Sequence, residues 1–187
     1  MKRFIAIILC CLAVFSANAQ VPKKYGKGAV PIVNGRVTFE RTIHTLDGYS
    51  ASQIFDQAKQ WSEKRFAKPT VLKASIVEMD PIAKRIVLNA EEYITFRNTF
   101  LVLDRTRINY WLEITAVDNG FTLKMTRINY WYEEERDGGQ RFTAEQYITD
   151  EECYNAKQTK FLRGFGKFRI KTIDLVDQLT KEFSDRF

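Results

Sequence analysis

The apolar residues near the start of the chain predict one strand followed by one amphipathic helix. Residues 36–43 alternate between apolar and polar at a period of two, which is typical of a strand with one buried face. Ser50 and Gln53 then have the spacing of a helix-capping box. From Ile54 an apolar stripe at helical spacing continues to Phe66, so we expect a helix over this stretch.

The middle of the chain predicts four more strands, separated by turn signals. Asn119-Gly120 is a strong hairpin signal, because both residues tolerate the positive φ of a tight two-residue turn. Residues 97–105 interrupt the alternation with an apolar run, and we expect a connection that is partly buried. The predicted strands cover residues 70–79, 84–96, 106–117 and 121–133.

The C-terminal part of the chain predicts a helix that packs on the sheet. Thr149 and Glu152 have the spacing of a second capping box, and an apolar stripe continues to Phe183 with an interruption at two glycines. The elements therefore follow the order β-α-β-β-β-β-α. We expect one α+β domain over residues 36–187, with a twisted antiparallel sheet of about five strands and helices on one face.

A hexapeptide occurs twice, once on each arm of the predicted hairpin. Its sequence Thr-Arg-Ile-Asn-Tyr-Trp covers residues 106–111 and again 126–131. Regular pairing from the expected turn places polar residues of one copy opposite apolar residues of the other. A β-bulge near Thr126-Arg127 corrects this mismatch, and Tyr110 then pairs with Tyr130 on the buried face.

The same register turns the other residues of both copies towards solvent and makes the two indoles diagonal neighbours. The predicted outer pairs are Arg107–Glu133, Asn109–Trp131, Trp111–Asn129 and Glu113–Arg127.

This outer surface is the candidate binding site of the chain. Tryptophans flanked by arginines and asparagines can stack on a sugar ring, a planar ligand or a partner protein. The alternative is a structural role, since cross-strand aromatic and ionic pairs also stabilise a sheet by about 0.2–1 kcal/mol each. The candidate binding residues are Trp111, Trp131, Arg107, Arg127, Asn109 and Asn129.

The N-terminal residues predict export. A basic start precedes an apolar run, and Ala17-Asn18-Ala19 supplies the small residues that a signal peptidase recognises. We therefore expect a signal peptide over residues 1–19, cleaved before Gln20. The mature protein is expected to be soluble, in the periplasm or at the cell surface, without a membrane span. Residues 20–35 mix glycine, proline and lysine without periodicity, which predicts a flexible basic linker.

Few residues of the chain suit catalysis or metal binding. His44 is the single histidine, which leaves histidine-based metal sites and dyads incomplete. Cys153 follows a run of carboxylates, which raise the pKa of its thiol and disfavour a nucleophilic role. The net charge of +6 is spread along the chain, which argues against a nucleic-acid partner. We expect no catalytic residue, no bound metal and no cofactor.

Several short motifs are shared with a known family. They are Ala19-Gln20 at the end of the signal, Gly35-Arg36-Val37-Thr38-Phe39, Asp47-Gly48-Tyr49-Ser50, Ile54-Phe55 with Trp61, and Asp118-Asn119-Gly120. The chain thereby resembles an exported domain-of-unknown-function family of Bacteroidetes-type bacteria, whose fold is like half of the TATA-binding protein. The resemblance implies the same order of elements over residues 35–183. It implies no activity, no site residues and no DNA binding, since an exported chain seldom meets DNA.

Three hypotheses for function follow from the sequence. The first is an exported, non-enzymatic binding or accessory module that uses the outer surface, with a cell-envelope glycan or another envelope protein as partner. The second is a carrier of helix-grip type, in which the sheet curls around the last helix and encloses a small apolar ligand. The third is a hydrolase that uses a carboxylate pair not visible in the spacing of the residues.

Overall fold

The structure, a computed structural model, describes residues 21–46 and 48–187. The predicted signal peptide over residues 1–19 and its cleavage before Gln20 lie outside the described residues. In the described part of the chain, no helix has the length and hydrophobicity that a membrane crossing requires.

Eight strands and three α-helices form the described part of the chain. The strands are β1 (Ile32–Val33), β2 (Arg36–Val37), β3 (Phe39–His44), β4 (Val71–Asp80), β5 (Arg85–Thr99), β6 (Val102–Val117), β7 (Gly120–Tyr132) and β8 (Gln140–Thr143). The helices are α1 (Ala51–Phe66), α2 (Asp150–Cys153) and α3 (Arg163–Ser184). The predicted α+β class is confirmed. The predicted order is also present, with three short strands and one short helix added to it.

Six strands form one antiparallel sheet in the order β3-β7-β6-β5-β4, with β8 also paired to β7. β3 pairs with residues 120–125 of β7 and β8 with residues 129–132, so the two short strands share one edge of β7. β1 and β2 form a separate hairpin. The sheet has one strand more than expected, because β8 is too short and too polar to show an alternating pattern.

One face of the sheet is buried under α1 and α3. In β6, every second residue from Thr106 to Ala116 is buried, and the residues between them are half-buried. Aromatic rings fill the space between the sheet and α3, where they bury apolar area worth about 25 cal/mol per Å². The ring of Phe168 in α3 has centroid distances of 4.5–5.4 Å to Phe96, Tyr130, Tyr132, Phe142 and Tyr147.

The two predicted capping boxes have different outcomes. The side chain of Ser50 accepts a hydrogen bond from the N–H of Gln53, and the Gln53 side chain accepts one from the N–H of Ser50, so the first box is confirmed. The second box is wrong, because the side chain of Thr149 is buried and makes no capping hydrogen bond. α2 ends after four residues, and a bridge between Tyr154 and Phe161 precedes α3.

Residues 24–30 pack against the domain, in contrast to the flexible linker that we expected over residues 20–35, and residues 31–35 are exposed. The Lys24 amino group lies 2.9 Å from Asp174 Oδ1, and the Tyr25 hydroxyl donates to the same oxygen at 2.6 Å. The buried guanidinium of Arg169 donates to the backbone carbonyl of Gly26. These partners all lie in α3, far along the chain, so the local composition of the segment does not reveal them.

The β6–β7 hairpin turns at Asp118 and Asn119, one residue earlier than expected. Val117 pairs with Gly120, and only Asn119 of the two expected turn residues has a positive φ, of 55°. Gly120 is required for a different reason, because a Cβ at this position would lie 2.7 Å from the backbone oxygen of Ile43 in β3. The close approach of β3 therefore fixes the glycine inside β7 and moves the turn.

The earlier turn changes which buried side chains meet across β6 and β7. Leu112 lies opposite Met125, and Ile108 lies opposite Tyr130. The predicted pairing of Tyr110 with Tyr130 is therefore wrong. Both tyrosines are nevertheless buried under the helices, because a shift of two residues keeps every side chain on its own face.

Residues 97–105 form the end of the β5–β6 hairpin, and the expectation of a partly buried connection is wrong. Thr99 at the end of β5 pairs with Val102 at the start of β6, which leaves a two-residue turn. Phe100 and Leu101 make this turn, and they are 100% and 85% exposed. The strands satisfy their own hydrogen bonds as far as the turn, so the apolar run extends into solvent without a covering element.

Candidate functional site

The two copies of the hexapeptide lie side by side in the middle of the outer face, by which we mean the face of the sheet opposite α1 and α3. Their isoleucine and tyrosine side chains are buried beneath the helices. The outer face brings together the six candidate residues, which are half-buried or exposed: Arg107, Asn109, Trp111, Arg127, Asn129 and Trp131.

The outer pairs differ from those that we expected. Three pairs follow one another along the strands: Arg107 with Trp131, Asn109 with Asn129, and Trp111 with Thr126. Glu113 pairs with Lys124, whose amino group lies 2.9 Å from its carboxylate. All four predicted outer pairs are wrong because the turn lies one residue earlier. The asparagine pair separates the two indoles, which are therefore not diagonal neighbours.

The predicted β-bulge is present in the second copy of the hexapeptide. Tyr110 faces two residues of β7, Arg127 and Ile128. Arg127 has a φ of 52°, in the left-handed region that residues other than glycine rarely adopt. The bulge changes the face of the residues before it, so Thr126 lies on the outer face while its counterpart Thr106 is buried. Two identical sequences therefore have different backbones.

Trp131 lies between two guanidinium groups. Arg107 of β6 and Arg141 of β8 are its partners on the two neighbouring strands. Their guanidinium carbons lie 4.8 Å and 4.0 Å from the indole, within the range of cation–π interactions. The indole N–H donates to the backbone oxygen of Gly138 at 2.7 Å. Trp131 therefore holds both arginines and the loop after β7, and its ring is not free to stack on a sugar.

Trp111 forms a similar contact with the residue of the bulge. The guanidinium carbon of Arg127 lies 4.2 Å from the Trp111 ring. The Arg127 side chain is exposed, and within the described chain it makes neither an ion pair nor a side-chain hydrogen bond. The left-handed backbone at Arg127 thus places a cation on the outer face beside the second indole.

Arg107 joins the outer face to the acidic loop after β7. Its guanidinium contacts the carboxylates of Glu91, at 3.2 Å, and of Glu134. Glu134 also accepts a hydrogen bond from the Tyr93 hydroxyl. Burial opposes the charge of Arg107, but the hydrogen bonds to the two carboxylates outweigh burial, and the pKa of the guanidinium is raised. Two internal partners therefore neutralise the charge of Arg107.

A groove of about 420 Å³ opens beside Trp131 on the outer face. β5, β6, β7, β8 and the segment after β8 contribute to it. Its polar side chains are Glu91, Arg107, Asn109, Asn129, Arg141, Thr143 and Gln146. Part of this lining is already engaged, because the amide of Asn109 exchanges hydrogen bonds of 3.0 Å and 3.3 Å with the amide of Asn89.

Arg141 is the cation of the groove that has no carboxylate partner among the residues that the structure describes. Its guanidinium lies over the ring of Trp131 in a cation–π interaction. The side chain is exposed at the edge of the sheet. A fixed and uncompensated guanidinium of this kind is a suitable partner for a carboxylate or a phosphate group.

The residues that β8 brings to the groove were missed by sequence reasoning. Arg141, Thr143 and Gln146 lie in a stretch without alternation, and they reach the outer face because β8 pairs with β7. The signal in the sequence is the Asp137-Gly138-Gly139 turn, which returns the chain alongside β7. Gly139 has a φ of 70°, and a Cβ there would lie 2.6 Å from the backbone oxygen of Tyr132.

A buried ionic network lies below the other face of the sheet, and the sequence carries no signal for it. Arg65 Nη2 of α1 lies 2.8 Å from Glu92 Oε2 of β5, and the Tyr110 hydroxyl donates to Glu92 Oε1 at 2.5 Å. Glu182 Oε2 of α3 lies 3.0 Å from Arg65 Nε. The network connects both helices to the sheet, so its role is structural.

Other groups with reactive side chains are buried or isolated. Cys153 is buried, and burial raises the pKa of its thiol to about 11. His44 ends β3 at the edge of the sheet. Across residues 21–46 and 48–187, no three histidine, cysteine, aspartate or glutamate side chains form a group that could hold a metal ion. The outer face is therefore the surface that we consider for function.

A family model matches half of the chain. The model is described as a domain of unknown function (DUF4468) with TBP-like fold, and it matches residues 39–131, from the first long strand to the end of the second hexapeptide. No curated protein matches the chain.

Two solved structures are similar to the chain over most of its length. A DUF4468 family protein from Bacteroides ovatus is 31% identical, with a TM-score of 0.76, over 85% of this chain and 90% of that chain. A TBP-like protein from Parabacteroides distasonis is 22% identical, with a TM-score of 0.68, over 83% of this chain and 95% of that chain, a likeness that shows the fold alone. The expected family and its fold are confirmed: the chain belongs to the DUF4468 family of domains of unknown function with a TBP-like fold.

Proposed function

We propose that this chain is an exported, non-enzymatic module that binds an acidic glycan of the cell envelope in the groove on its outer face. The observation that carries the proposal is Arg141, which is held against Trp131 at the groove without a carboxylate partner in the described chain. A carboxylate or phosphate group of the ligand supplies the missing partner of the guanidinium.

The charge of the groove favours an acidic ligand. Its lining contains two arginines and one glutamate, and since Arg107 is paired with Glu91 and Glu134, Arg141 is the cation that is left for a ligand. Glu91 is already engaged with Arg107. A hydrogen bond to a charged group contributes about 1.5–3 kcal/mol, which is more than a neutral one contributes. The contact of a ligand carboxylate with Arg141 therefore accounts for a large part of the binding free energy.

The remaining lining of the groove favours a sugar over a peptide. Asn129, Thr143 and Gln146 each make one hydrogen bond to the backbone. The Asn129 amide oxygen, the Thr143 hydroxyl proton and the Gln146 amide nitrogen are left for the many hydroxyl groups of a sugar. Protein interfaces depend on an apolar centre with buried aromatic side chains. Arginines cover both indoles of the outer face, so this surface offers little apolar area to a protein partner.

Export is supported by the N-terminal sequence. The apolar run and Ala17-Asn18-Ala19 have the pattern of a secretory signal. Export places the groove among the polysaccharides of the envelope, where acidic sugars are available as ligands. The proposed module thus meets its ligand in the compartment that its first residues specify.

The carrier hypothesis requires an apolar space between the sheet and α3. In the described interior, Phe168 and the rings around it occupy this space, with centroid distances of 4.5–5.4 Å. The Tyr130 hydroxyl also lies 2.6 Å from Thr172 Oγ1 of α3. These contacts leave the carrier hypothesis without structural support.

Titration calorimetry with oligosaccharides tests the proposed function. We expect uronate-containing oligosaccharides to bind, and their carboxyl-reduced counterparts to bind about tenfold more weakly, because the charged hydrogen bond is lost. Arg141→Gln lowers the affinity for the acidic oligosaccharide about tenfold for the same reason. Higher salt concentration weakens the binding of the unsubstituted protein more than that of the variant.

Arg127→Gln is the matched control for this experiment. Arg127 has the same kind of cation–π contact with a tryptophan but does not line the groove. We expect its affinity to stay within about twofold of the unsubstituted protein. Equal affinities for acidic and neutral oligosaccharides, or an unchanged affinity of Arg141→Gln, would contradict the proposal. Binding of acidic peptides in preference to oligosaccharides would identify a protein partner instead.

A further inference from the structure

The hairpin between β5 and β6 ends in an apolar tip, defined as residues 100–103, with the sequence Phe-Leu-Val-Leu. Phe100 is 100% exposed, Leu101 85% and Leu103 56%. Single exposed apolar residues are common on protein surfaces. A continuous apolar run at the end of a projecting hairpin is different, because it adds unfavourable contact with water and indicates a contact surface.

The shape of the tip limits what can cover it. Thr99 pairs with Val102, so the tip is the narrow end of two strands. A stable protein–protein interface buries about 1,200–2,000 Å² in total, far more than the end of one hairpin provides. A lipid bilayer does not need a matching shape, because headgroups and acyl chains rearrange around inserted side chains. The geometry therefore favours a bilayer over a protein partner.

The start of α3 lies at the same end of the molecule as the tip. Phe168, near the start of α3, packs at 4.5 Å against Phe96, which lies close to the tip in β5. Phe183, near the end of α3, packs at 4.5 Å against Phe121, beside the turn at the opposite end of the sheet. α3 therefore runs away from the tip, and the segment before it lies at the tip end.

Basic residues without acidic partners lie at this end. Arg97 near the end of β5, and Lys160 and Arg163 around the start of α3, are exposed and form no ion pair with any described residue. The acidic loop after β7 also lies at this end, beside Val102 and Leu103. Four of the carboxylates here are engaged with other cations, in the pairs Lys167–Asp104, Arg136–Glu133, Arg105–Glu135 and Arg107–Glu134, whereas Asp137 is exposed and forms no ion pair with a described residue. Three basic residues without partners thus face one such carboxylate. The tip is therefore accompanied by an excess of positive charge, which is complementary to anionic headgroups.

We propose that the tip docks the protein on an anionic lipid bilayer. Phe100 and Leu101 enter the headgroup region, where their burial supplies the apolar part of the binding free energy. Arg97, Lys160 and Arg163 lie over the lipid phosphates, and each basic residue near such a surface strengthens binding about fivefold. The polar backbone of the turn stays hydrated, because the insertion is shallow. This docking does not depend on the groove or on its proposed ligand.

Co-sedimentation with lipid vesicles tests the proposal. The chain beginning at Gln20 suits this test, because it keeps every described element and lacks the apolar N-terminal run. We expect it to bind vesicles of phosphatidylcholine mixed with phosphatidylglycerol at least about tenfold more strongly than vesicles of phosphatidylcholine alone. Phe100→Ser/Leu101→Ser lowers binding to the anionic vesicles at least about tenfold, because the inserted apolar surface is lost.

Ile82→Ser is the matched control. Ile82 is 92% exposed in the β4–β5 turn, at the end of β5 opposite the tip, and its replacement leaves vesicle binding within about twofold. Neither change touches the core, so thermal unfolding confirms that both variants are folded. Absence of binding to anionic vesicles, equal binding to neutral vesicles, or undiminished binding by the double variant overturns the proposal. Self-association that the double variant abolishes, without vesicle binding, assigns the tip to a second copy and also overturns it.

Discussion

The Arg65–Glu92 pair illustrates how single residues connect distant elements of this fold. Both residues are almost completely buried, at 4% and 5% exposure, and Tyr110 donates to the second oxygen of Glu92. A buried charge that loses its partner is strongly destabilising, whereas removal of both charges is often neutral. Each charge of the pair is therefore needed for stability, because its loss would leave the opposite charge buried without a partner.

Glu92→Gln tests this dependence. We expect the free energy of unfolding to fall by about 3 kcal/mol, because the guanidinium of Arg65 loses its buried counter-charge. Arg65→Met/Glu92→Leu is expected to lose less than the single variant, since no buried charge is left unpaired and the partly exposed Glu182 keeps Lys68 as a partner. Urea denaturation measures both values. A double variant that is less stable than Glu92→Gln would show that the ion pair itself stabilises the fold, and that each charge does more than neutralise the other.

At the scale of the elements, two glycines have opposite roles. Gly120 lies where β3 approaches β7, and a Cβ there would lie 2.7 Å from the backbone oxygen of Ile43. Gly164 lies in the first turn of α3, and a Cβ there would meet no atom within 4 Å. The first glycine is required by packing, and the second makes the helix more flexible without a packing reason.

Replacement of each glycine by alanine distinguishes the two roles. Gly120→Ala is expected to lower the free energy of unfolding by about 1–3 kcal/mol, because the backbone of β3 has to move. Gly164→Ala is expected to raise it by about 0.5–1 kcal/mol, because alanine has the higher helix propensity. Thermal unfolding of the two variants provides the comparison. Changes of the same sign would contradict this explanation of the hairpin turn.

Elements with long regular patterns could be predicted from the sequence, and contacts between distant segments could not. The capping box at Ser50 and the alternation in β6 depend on neighbouring residues, which the sequence shows directly. The turn before Gly120 depends on β3, which contacts it from another part of the chain. Residues 24–30 and β8 depend in the same way on partners elsewhere, so composition alone indicated a linker and a loop.

The candidate site was predictable to the same extent. Alternation placed the tryptophans, arginines and asparagines of the hexapeptides on the outer face, and the poor match of the two copies indicated the bulge. The pairs within that face required the true position of the turn. Arg141 could not be found, because its place beside Trp131 depends on the pairing of β8, which has no pattern of its own.

At the scale of the whole molecule, the N-terminal segment, residues 21–35, is joined to α3 by side-chain and backbone contacts. Lys24 and Tyr25 both contact Asp174, and Gly26 accepts a hydrogen bond from the buried Arg169. Without the segment, the guanidinium of Arg169 loses an acceptor in the interior. The segment is therefore part of the domain that carries the outer face.

Truncation tests the role of the segment. We expect a chain that begins at Arg36 to lose about 2 kcal/mol or more of unfolding free energy, because Arg169 and Asp174 lose partners. Lys23→Ala is the control, since Lys23 is exposed and its side chain makes no ion pair within the described chain. Denaturant titration of both chains gives the values. Equal stability of the truncated and longer chains would show that the segment is a linker after all.

The two faces of the sheet have different roles. The inner face and the helices form the core, whereas the outer face is polar and carries the groove with its uncompensated Arg141. Because Trp131 holds Arg141, a ligand at the groove changes the surroundings of that indole. The protein has three tryptophans, and the third, Trp61, packs in the core against Phe183 at 5.4 Å.

Nuclear magnetic resonance of the indole N–H groups is the most direct measurement of the proposed function. On addition of a uronate-containing oligosaccharide, we expect the Trp131 signal to shift in a saturable manner and the Trp61 signal to stay in place. Arg141→Gln should remove the shift at Trp131. An unchanged Trp131 signal at saturating oligosaccharide, or equal shifts at Trp131 and Trp61, would contradict the outer face as the binding surface.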